Sequence, residues 1–264
     1  MKIPDEKWYE AIKVRRSRRQ FNGRLIDQQK ERQLLNFIDE LNSLVEGFRA
    51  VFVTENPEKV FRGAVGSYGK IKNAPAYVAF IGDMSDPNVQ EKTGYLGECV
   101  ILEATSIGLA TCWVGGFFDQ NEVKAQINLI PGERVLAVSP LGHTDEKYNL
   151  EEKLMSGLAG SHKRKSLSRI AKRVSVEKWP YWISNALEAA RLAPSAVNRQ
   201  PWRFIVSEDS IVITVDSRYF SFGISKRLDC GIAMLHFHIG ALKAGVHGTW
   251  EYLTAPDVAR FVVS

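Results

Sequence analysis

The chain has 264 residues, 45% hydrophobic and 25% charged, an ordinary globular composition with length for one large domain or two small ones. Its formal net charge of +5 and pI of about 9.0 suit an anionic ligand; they would also suit nucleic acid, but no zinc spacing, RRM signature or clear helix-turn-helix accompanies them, so no nucleic-acid partner is expected. Three scattered cysteines (Cys99, Cys112, Cys230) make no disulfide framework or metal cluster, no apolar run reaches the roughly 18–20 residues of a membrane span, and the first residues carry no secretory h-region, so a cytoplasmic protein without a membrane partner is expected.

Residues 5–18 predict a helix with Trp8, Ala11, Ile12 and Val14 as its apolar positions, ending in a cationic turn. There "VRRSRRQF" (14–21) sets a serine between arginine pairs. Forked guanidinium donors and a hydroxyl suit a phosphate, and a solvated basic helix end favoured by the macrodipole explains the same residues. Residues 28–44 predict a second helix from Leu34, Leu35, Ile38 and Leu41, and "FRAVFVTE" (48–55) and "PAYVAFIG" (75–82) predict strands. "GYLGECVILEATSIGLA" (94–110) is apolar nearly all round and predicts a buried helix. In "GLATCWVGGF" (108–117), Gly115 and Gly116 let backbone N–H groups come close to a flat ligand, or mark a plain strand entry. A short helix (120–127), a Pro-Gly turn (131–132) and the strand "RVLAVSPLG" (134–142) follow.

Residues 145–175 are polar and basic and predict an extended arm with a short helical turn near 151–158; its "GSHKRKSLSRI" (160–170) is a charge run that a solvated arm explains fully. Then the pattern restarts: a helix in "WPYWISNALEAARLAP", strands in "WRFIVS" and "SIVITVD", a long apolar helix in "LDCGIAMLHFHIGALKAGV" and a final strand in "HGTWEYL". His236 and His238, two apart on that helix, point to different faces. Setting Gly94 against Gly231, a shift of 137, also aligns Ala104 with Ala241, Gly108 with Gly245 and Trp113 with Trp250, which reads as a degenerate duplication. Between the helix and strand of the second copy, "APSAVNRQPW" (193–202) carries Ser195, Asn198 and Gln200 on a loop stiffened by Pro194 and Pro201. Amides that both donate and accept suit the edge of a uracil-like ring; a rigid turn with an Asx cap would use the same residues.

The four segments in this order resemble the FMN-dependent nitroreductase family, and within it the subgroup of single-chain pseudo-dimers. Arg15 to Arg19 stand where the family has Arg-Arg-Ser-x-Arg, Ala193–Trp202 where it has Ala-Pro-Ser-x-x-Asn-x-Gln-Pro-Trp, and Gly108–Phe117 where it has Gly-Leu-x-Thr-Cys-Trp-x-Gly-Gly-Phe. The resemblance covers nearly the whole chain. It implies an α+β nitroreductase-like fold of two degenerate repeats, 1–172 with the linker arm and a shortened 173–264, forming a pseudo-dimer around long central helices. Family members are homodimers whose FMN is shared, the Arg-Ser segment coming from one subunit and the Pro-Ser loop from the other. Here the first half has Arg-Arg-Ser but "LNSLVEGFRAVFV" in place of the loop, and the second half has the loop alone, so the resemblance implies one site per chain.

Carried over by residue, Arg15, Arg16, Ser17 and Arg19 would hold the ribityl and phosphate end. Arg164 would add a second phosphate grip, with His162 and Lys165 beside it. Pro194, Ser195, Asn198 and Gln200 would line the ring, and backbone around Val114, Gly115 and Gly116 would approach flavin N5 and O4. Lys70 matches a family lysine near the pyrimidine edge, where a surface lysine is the alternative. The implied activity is hydride transfer from NADH or NADPH through FMN N5 to a small-molecule acceptor, nitroaromatic or quinone-like, in a ping-pong scheme without a catalytic side chain. An FMN-binding sensor, a flavin store or a reductive dehalogenase would use the same fold. A monomer is allowed, since the chain would itself be the dimer.

Overall fold

Two helices, Val89–Ser106 and Lys226–Lys243, are buried on nearly every side, and the rest of the chain is arranged to cover them. The computed structural model describes residues 2–62, 71–145, 163–172, 179–207, 210–216 and 223–264. In chain order these form α1 (Asp5–Val14), α2 (Gln28–Leu44), β1 (Phe48–Val53), α3 (Pro57–Val60), β2 (Ala76–Asp83), α4 (Val89–Ser106), β3 (Ala110–Thr111), α5 (Gln120–Gln126), β4 (Glu133–Gly142), α6 (Leu167–Ile170) and β5 (Ala171–Lys172). The chain continues with α7 (Tyr181–Arg191), a 3-10 turn (Ala196–Asn198), β6 (Trp202–Val206), β7 (Ile211–Val215), α8 (Lys226–Lys243), β8 (Gly248–Tyr252) and β9 (Asp257–Val263).

α2 spans the predicted residues and buries Leu34, Ile38 and Leu41, with Leu35 half-buried. Three expectations are corrected. α1 ends at Val14 rather than 18, because Arg15 turns to φ −54°, ψ 129°; Val14 is therefore exposed. α4 covers 89–106 rather than 94–110: Gly108 takes φ +81° and the Leu109 N–H turns back to the Ala104 carbonyl at 2.9 Å, freeing Ala110 for β3. "HGTWEYL" is not the last strand, because β9 follows it and lies between β7 and β8. The helical turn expected near 151–158 lies outside the described residues.

The two sheets repeat one pattern. The first runs β1-β2-β4-β3 and the second β6-β7-β9-β8, antiparallel throughout, with β5 added parallel beside β6. In each, two strands lead into the long helix, and the chain returns as an edge strand and then an inner one. Each inner pairing slips by one residue, passing over Leu136 in β4 and Val258 in β9.

The same offset governs the helix crossing. A Cβ on Gly94 would overlap the Leu228 carbonyl oxygen, and a Cβ on Gly231 would overlap the Glu91 carbonyl oxygen. Positions 91 and 228 are again 137 apart, so the two contacts are the reciprocal pair that a local two-fold axis produces. One apolar cluster consequently runs through both halves, from Trp8, Leu34 and Phe80 to Phe204, Phe237 and Phe261.

Gly231→Ala is expected to cost at least the upper end of the roughly 1–3 kcal/mol of overpacking, since backbone has no rotamer to yield. Gly245→Ala, strained only by its φ of +78° with nothing nearby, is expected to cost about 1 kcal/mol. Urea unfolding of both variants checks this; equal losses would mean that the helices separate without cost.

Candidate functional site

The chain beyond α1 is extended. Arg18 N–H donates to the Thr111 carbonyl (2.9 Å), Lys72 N–H to the Arg19 carbonyl (2.9 Å) and Phe21 N–H to the Lys72 carbonyl (3.0 Å), so the arginine-rich segment is stitched to β3 and to Lys72. The basic helix-end reading of Ser17 and Arg19 therefore fails. Side chains on an extended segment alternate, and Ser17 and Arg19 both line one cleft. Arg15, one step further back, is buried. Arg16 turns away and donates to the Lys13 and Arg15 carbonyls, closing the end of α1.

The second wall follows β3. Val114 exchanges both backbone hydrogen bonds with Val138 at 2.9 Å, so its own N–H is committed to β4. The next free edge of backbone is Gly115, where a Cβ would press on Ile224 Cγ2 at 3.0 Å. Trp113 anchors this segment from behind: its indole N–H donates to Glu98 at 2.6 Å, and the other Glu98 oxygen meets His236 Nε2 at 2.8 Å. Gly116 does not line the cleft but an adjoining one.

The third wall is the proline-flanked loop. Ser195 Oγ accepts from the Gln200 N–H at 2.9 Å. Asp229, buried on α8, accepts from the Ala196 N–H (3.0 Å) and from Arg199 Nε (2.7 Å). These bonds hold Val197, Asn198 and Gln200 at φ of 50°, 53° and 47°, an arrangement that costs most for β-branched Val197. Pro194 and Ser195 line the cleft as expected of their position, but Asn198 and Gln200 do not. Their amides clamp the arm instead: Asn198 Oδ1 accepts from Arg164 at 3.1 Å and Nδ2 donates to the Lys163 carbonyl at 2.9 Å, while Gln200 Oε1 accepts from the Lys165 N–H at 2.8 Å. Lys165 Nζ donates to the Arg199 and Gln200 carbonyls at 2.7 and 2.8 Å, which makes it part of the same clamp.

The cleft so enclosed holds about 880 Å³ of space, counting its mouth. Its floor is Leu228, Asp229 and Ile232 of α8, with Ile71, Phe117 and Ile224 at the sides. Sequence reasoning did not name these six: Leu228 and Ile232 read as core on a buried helix, Ile71, Phe117 and Ile224 read as ordinary apolar positions in loops, and the polar Asp229 in the first turn of α8 was the available signal. Arg164, which joins the loop to the arm, has its pKa lowered to about 10, first by burial and then by repulsion from Arg15, Arg16 and Arg191. Guanidinium groups gathered this closely make a strong positive field for an anion. Lys70 and His162 lie outside the described residues. No His/Cys/Asp/Glu cluster among the described residues fits a metal, and no helix among them is long and apolar enough to cross a membrane.

Burial pushes the Asp229 carboxyl up to about 6, against the pull of Arg199 and the Ala196 N–H. Between the ordinary value of 3.8 and about 6, the folded chain holds a proton there that the unfolded chain has released. That increment of stability is therefore present at low pH and lost as pH rises through about 6. Relative to Asp229→Asn, the wild type is expected to lose stability from about pH 4 to about pH 7 in urea titrations, and a flat difference would show that Asp229 titrates normally.

A family profile described as "Putative TM nitroreductase" matches residues 7–241. Among solved structures, the chain is similar to a Thermotoga maritima MSB8 protein described as a "putative nitroreductase", at TM-score 0.63 and 19% identity over 97% of this chain and 93% of that one. It is similar to a nitroreductase family protein of Clostridium difficile 630 at TM-score 0.47 and 19% identity, over 68% of this chain and 100% of that one. A nitroreductase with bound FMN from Desulfitobacterium hafniense DCB-2 matches at TM-score 0.45 and 16% identity, over 56% and 93%. No curated protein matches the sequence. With the fold shared along its length and the family match running from α1 into α8, the chain belongs to this TM-type nitroreductase family, a family of oxidoreductases.

Proposed function

We propose that the chain is a flavin oxidoreductase that holds one FMN in the cleft between its two halves and passes hydride from NADH or NADPH to a nitroaromatic or quinone-like acceptor. The observation that carries this reading is the make-up of the cleft. Ser17, Arg19 and Gly115 face Pro194 and Ser195 from the other half, over an apolar floor, and a cluster of arginines stands next to it. That is the complement of a flat ring system with an anionic tail. Ser17, Arg19 and the field of Arg15, Arg16 and Arg164 would hold the ribityl phosphate. Gly115 would let backbone N–H reach the N5 edge, Pro194 and Ser195 would cover one face, and Leu228 and Ile232 would exclude water beneath it. Bound there, FMN would supply the redox chemistry that carries hydride from reductant to acceptor, in the proposed ping-pong order. Roles for Lys70 and His162 rest on the family resemblance alone.

One site per chain, with halves meeting near 172, is supported by the state of the counterpart site. The 137-residue shift carries Gly115 to Tyr252, and Leu228, Asp229 and Ile232 to Glu91, Lys92 and Tyr95. Those side chains fill the space: Lys92 Nζ lies 5.4 Å from the Tyr252 ring centre, Tyr95 Oη meets His238 Nδ1 at 2.7 Å, and Glu91 pairs with Arg227.

Arg15→Ala is expected to weaken FMN binding more than tenfold, by removing a buried guanidinium from the positive cluster beside the cleft, a charge-assisted interaction of roughly 1.5–3 kcal/mol. Fluorescence titration checks this, and an unchanged Kd would remove Arg15 from the site. An anaerobic titration is expected to count one FMN per chain that bleaches with NADH or NADPH. Two flavins would sink the single-site reading, and one flavin that stays yellow would make the chain a sensor or store.

A further inference from the structure

We infer that the cleft adjoining the flavin site takes the diphosphate-bearing arm of the dinucleotide reductant; this rests on the reading that NADH or NADPH reduces a flavin in the first cleft. The two clefts meet along a shared wall of Gly115, Ile224 and Leu228. Beyond it the second opens to about 1150 Å³ of space, counting its mouth. Two cations stand on its lining, Lys124 of α5 and Arg134 near the start of β4, both exposed. Among the described residues neither is in an ion pair.

The acidic group on the same lining does not cancel them. Both oxygens of Glu133 accept from Arg49 at 2.7 Å, one also from the Ile130 N–H at 3.0 Å, and this pairing holds its carboxyl below the usual range. The amides of Gln90 and Gln120 add neutral donors, and the N-terminus of α8 opens here beside Ser225. The first cleft is an apolar slot; its neighbour is wide, polar and net positive. A ligand with a flat apolar end and an anionic middle fits across the shared wall. The flavin phosphate is accounted for elsewhere, by Arg15 and Arg164, neither of which lines the second cleft.

The test uses ADP-ribose, which carries the diphosphate and lacks the nicotinamide. Calorimetry compares wild type with Lys124→Ala/Arg134→Ala, both held to the same melting temperature and FMN content. Wild type is expected to bind, more weakly as salt rises, and the double variant to show a Kd raised by about tenfold or more. The ratio of kcat/KM for NADH to that for 1-benzyl-1,4-dihydronicotinamide, which has no phosphate, is expected to fall by about the same factor. ADP-ribose binding indifferent to both substitutions would overturn the inference, as would a loss shared equally by the two reductants. A loss confined to a carboxylate-bearing nitroaromatic acceptor would overturn it too, by assigning the cations to the acceptor. ADP-ribose binding needs no flavin, so a chain that takes up no FMN yet binds ADP-ribose through these two cations would sink the flavin reading and leave the anion cleft standing.

Discussion

The approach of α4 to α8 at Gly94 and Gly231 is the constraint on which the rest of the molecule depends. Each glycine lies against a carbonyl of the opposite helix, so neither tolerates a side chain. The short separation lets both helices be buried almost all round, and both sheets then pack on one shared apolar cluster, with a smaller second cluster on the first sheet around Tyr77, Ile81 and Val138. A cleft built from Ser17 on one side and Ser195 on the other needs that rigidity, because its walls come from distant parts of the chain. Positioning at this accuracy is what a protein adds to cofactor chemistry.

The proline-flanked loop shows how such positioning is achieved. Three non-glycine residues with positive φ persist only where surrounding bonds over-determine them. Asp229 supplies one set, through the Ala196 N–H and Arg199, whose other nitrogen reaches the Ile224 and Ser225 carbonyls. The amides of Asn198 and Gln200 supply another by gripping the arm at Lys163–Lys165. The polar groups that suggested ring recognition thus serve chiefly to set the loop, and the loop sets Arg164.

Much of the fold was legible because periodicity reports burial directly. The pattern of Leu34, Ile38 and Leu41 defines α2 to the residue, and the apolar runs of α4 and α8 could only be interior. Boundaries were less legible where tertiary pairing decides them: nothing local says that the chain leaves the helix at Arg15 so that Ser17 and Arg18 can pair with Thr111 of β3. β9 was missed because only Ala259 and Phe261 alternate inward against outward Arg260 and Val262, a short signal behind a proline. In the site, Ser17, Arg19, Gly115, Pro194 and Ser195 were legible as motifs, whereas the direction in which Asn198 and Gln200 point is set by the arm across the sequence.

The two places related by the 137-residue shift also differ in what they leave unsettled. On the filled side, Tyr252 replaces a glycine, the Glu91–Arg227 pair is supported by the Leu253 and Asp257 carbonyls, and Lys92 is tied to Asp86 at 2.5 Å. On the open side the chain keeps a strained loop, a buried carboxyl pushed up to about 6 and an arginine whose pKa is lowered to about 10 by burial first and then by repulsion from its neighbours. An anion bound at the arginines would relieve that repulsion and so stabilise only the folded chain, by mass action. The two places related by the repeat therefore differ: the one at Tyr252 is closed by pairs that need no ligand, and the one at Gly115 keeps features that a bound anion would relieve. That asymmetry is the physical argument for the proposed single site.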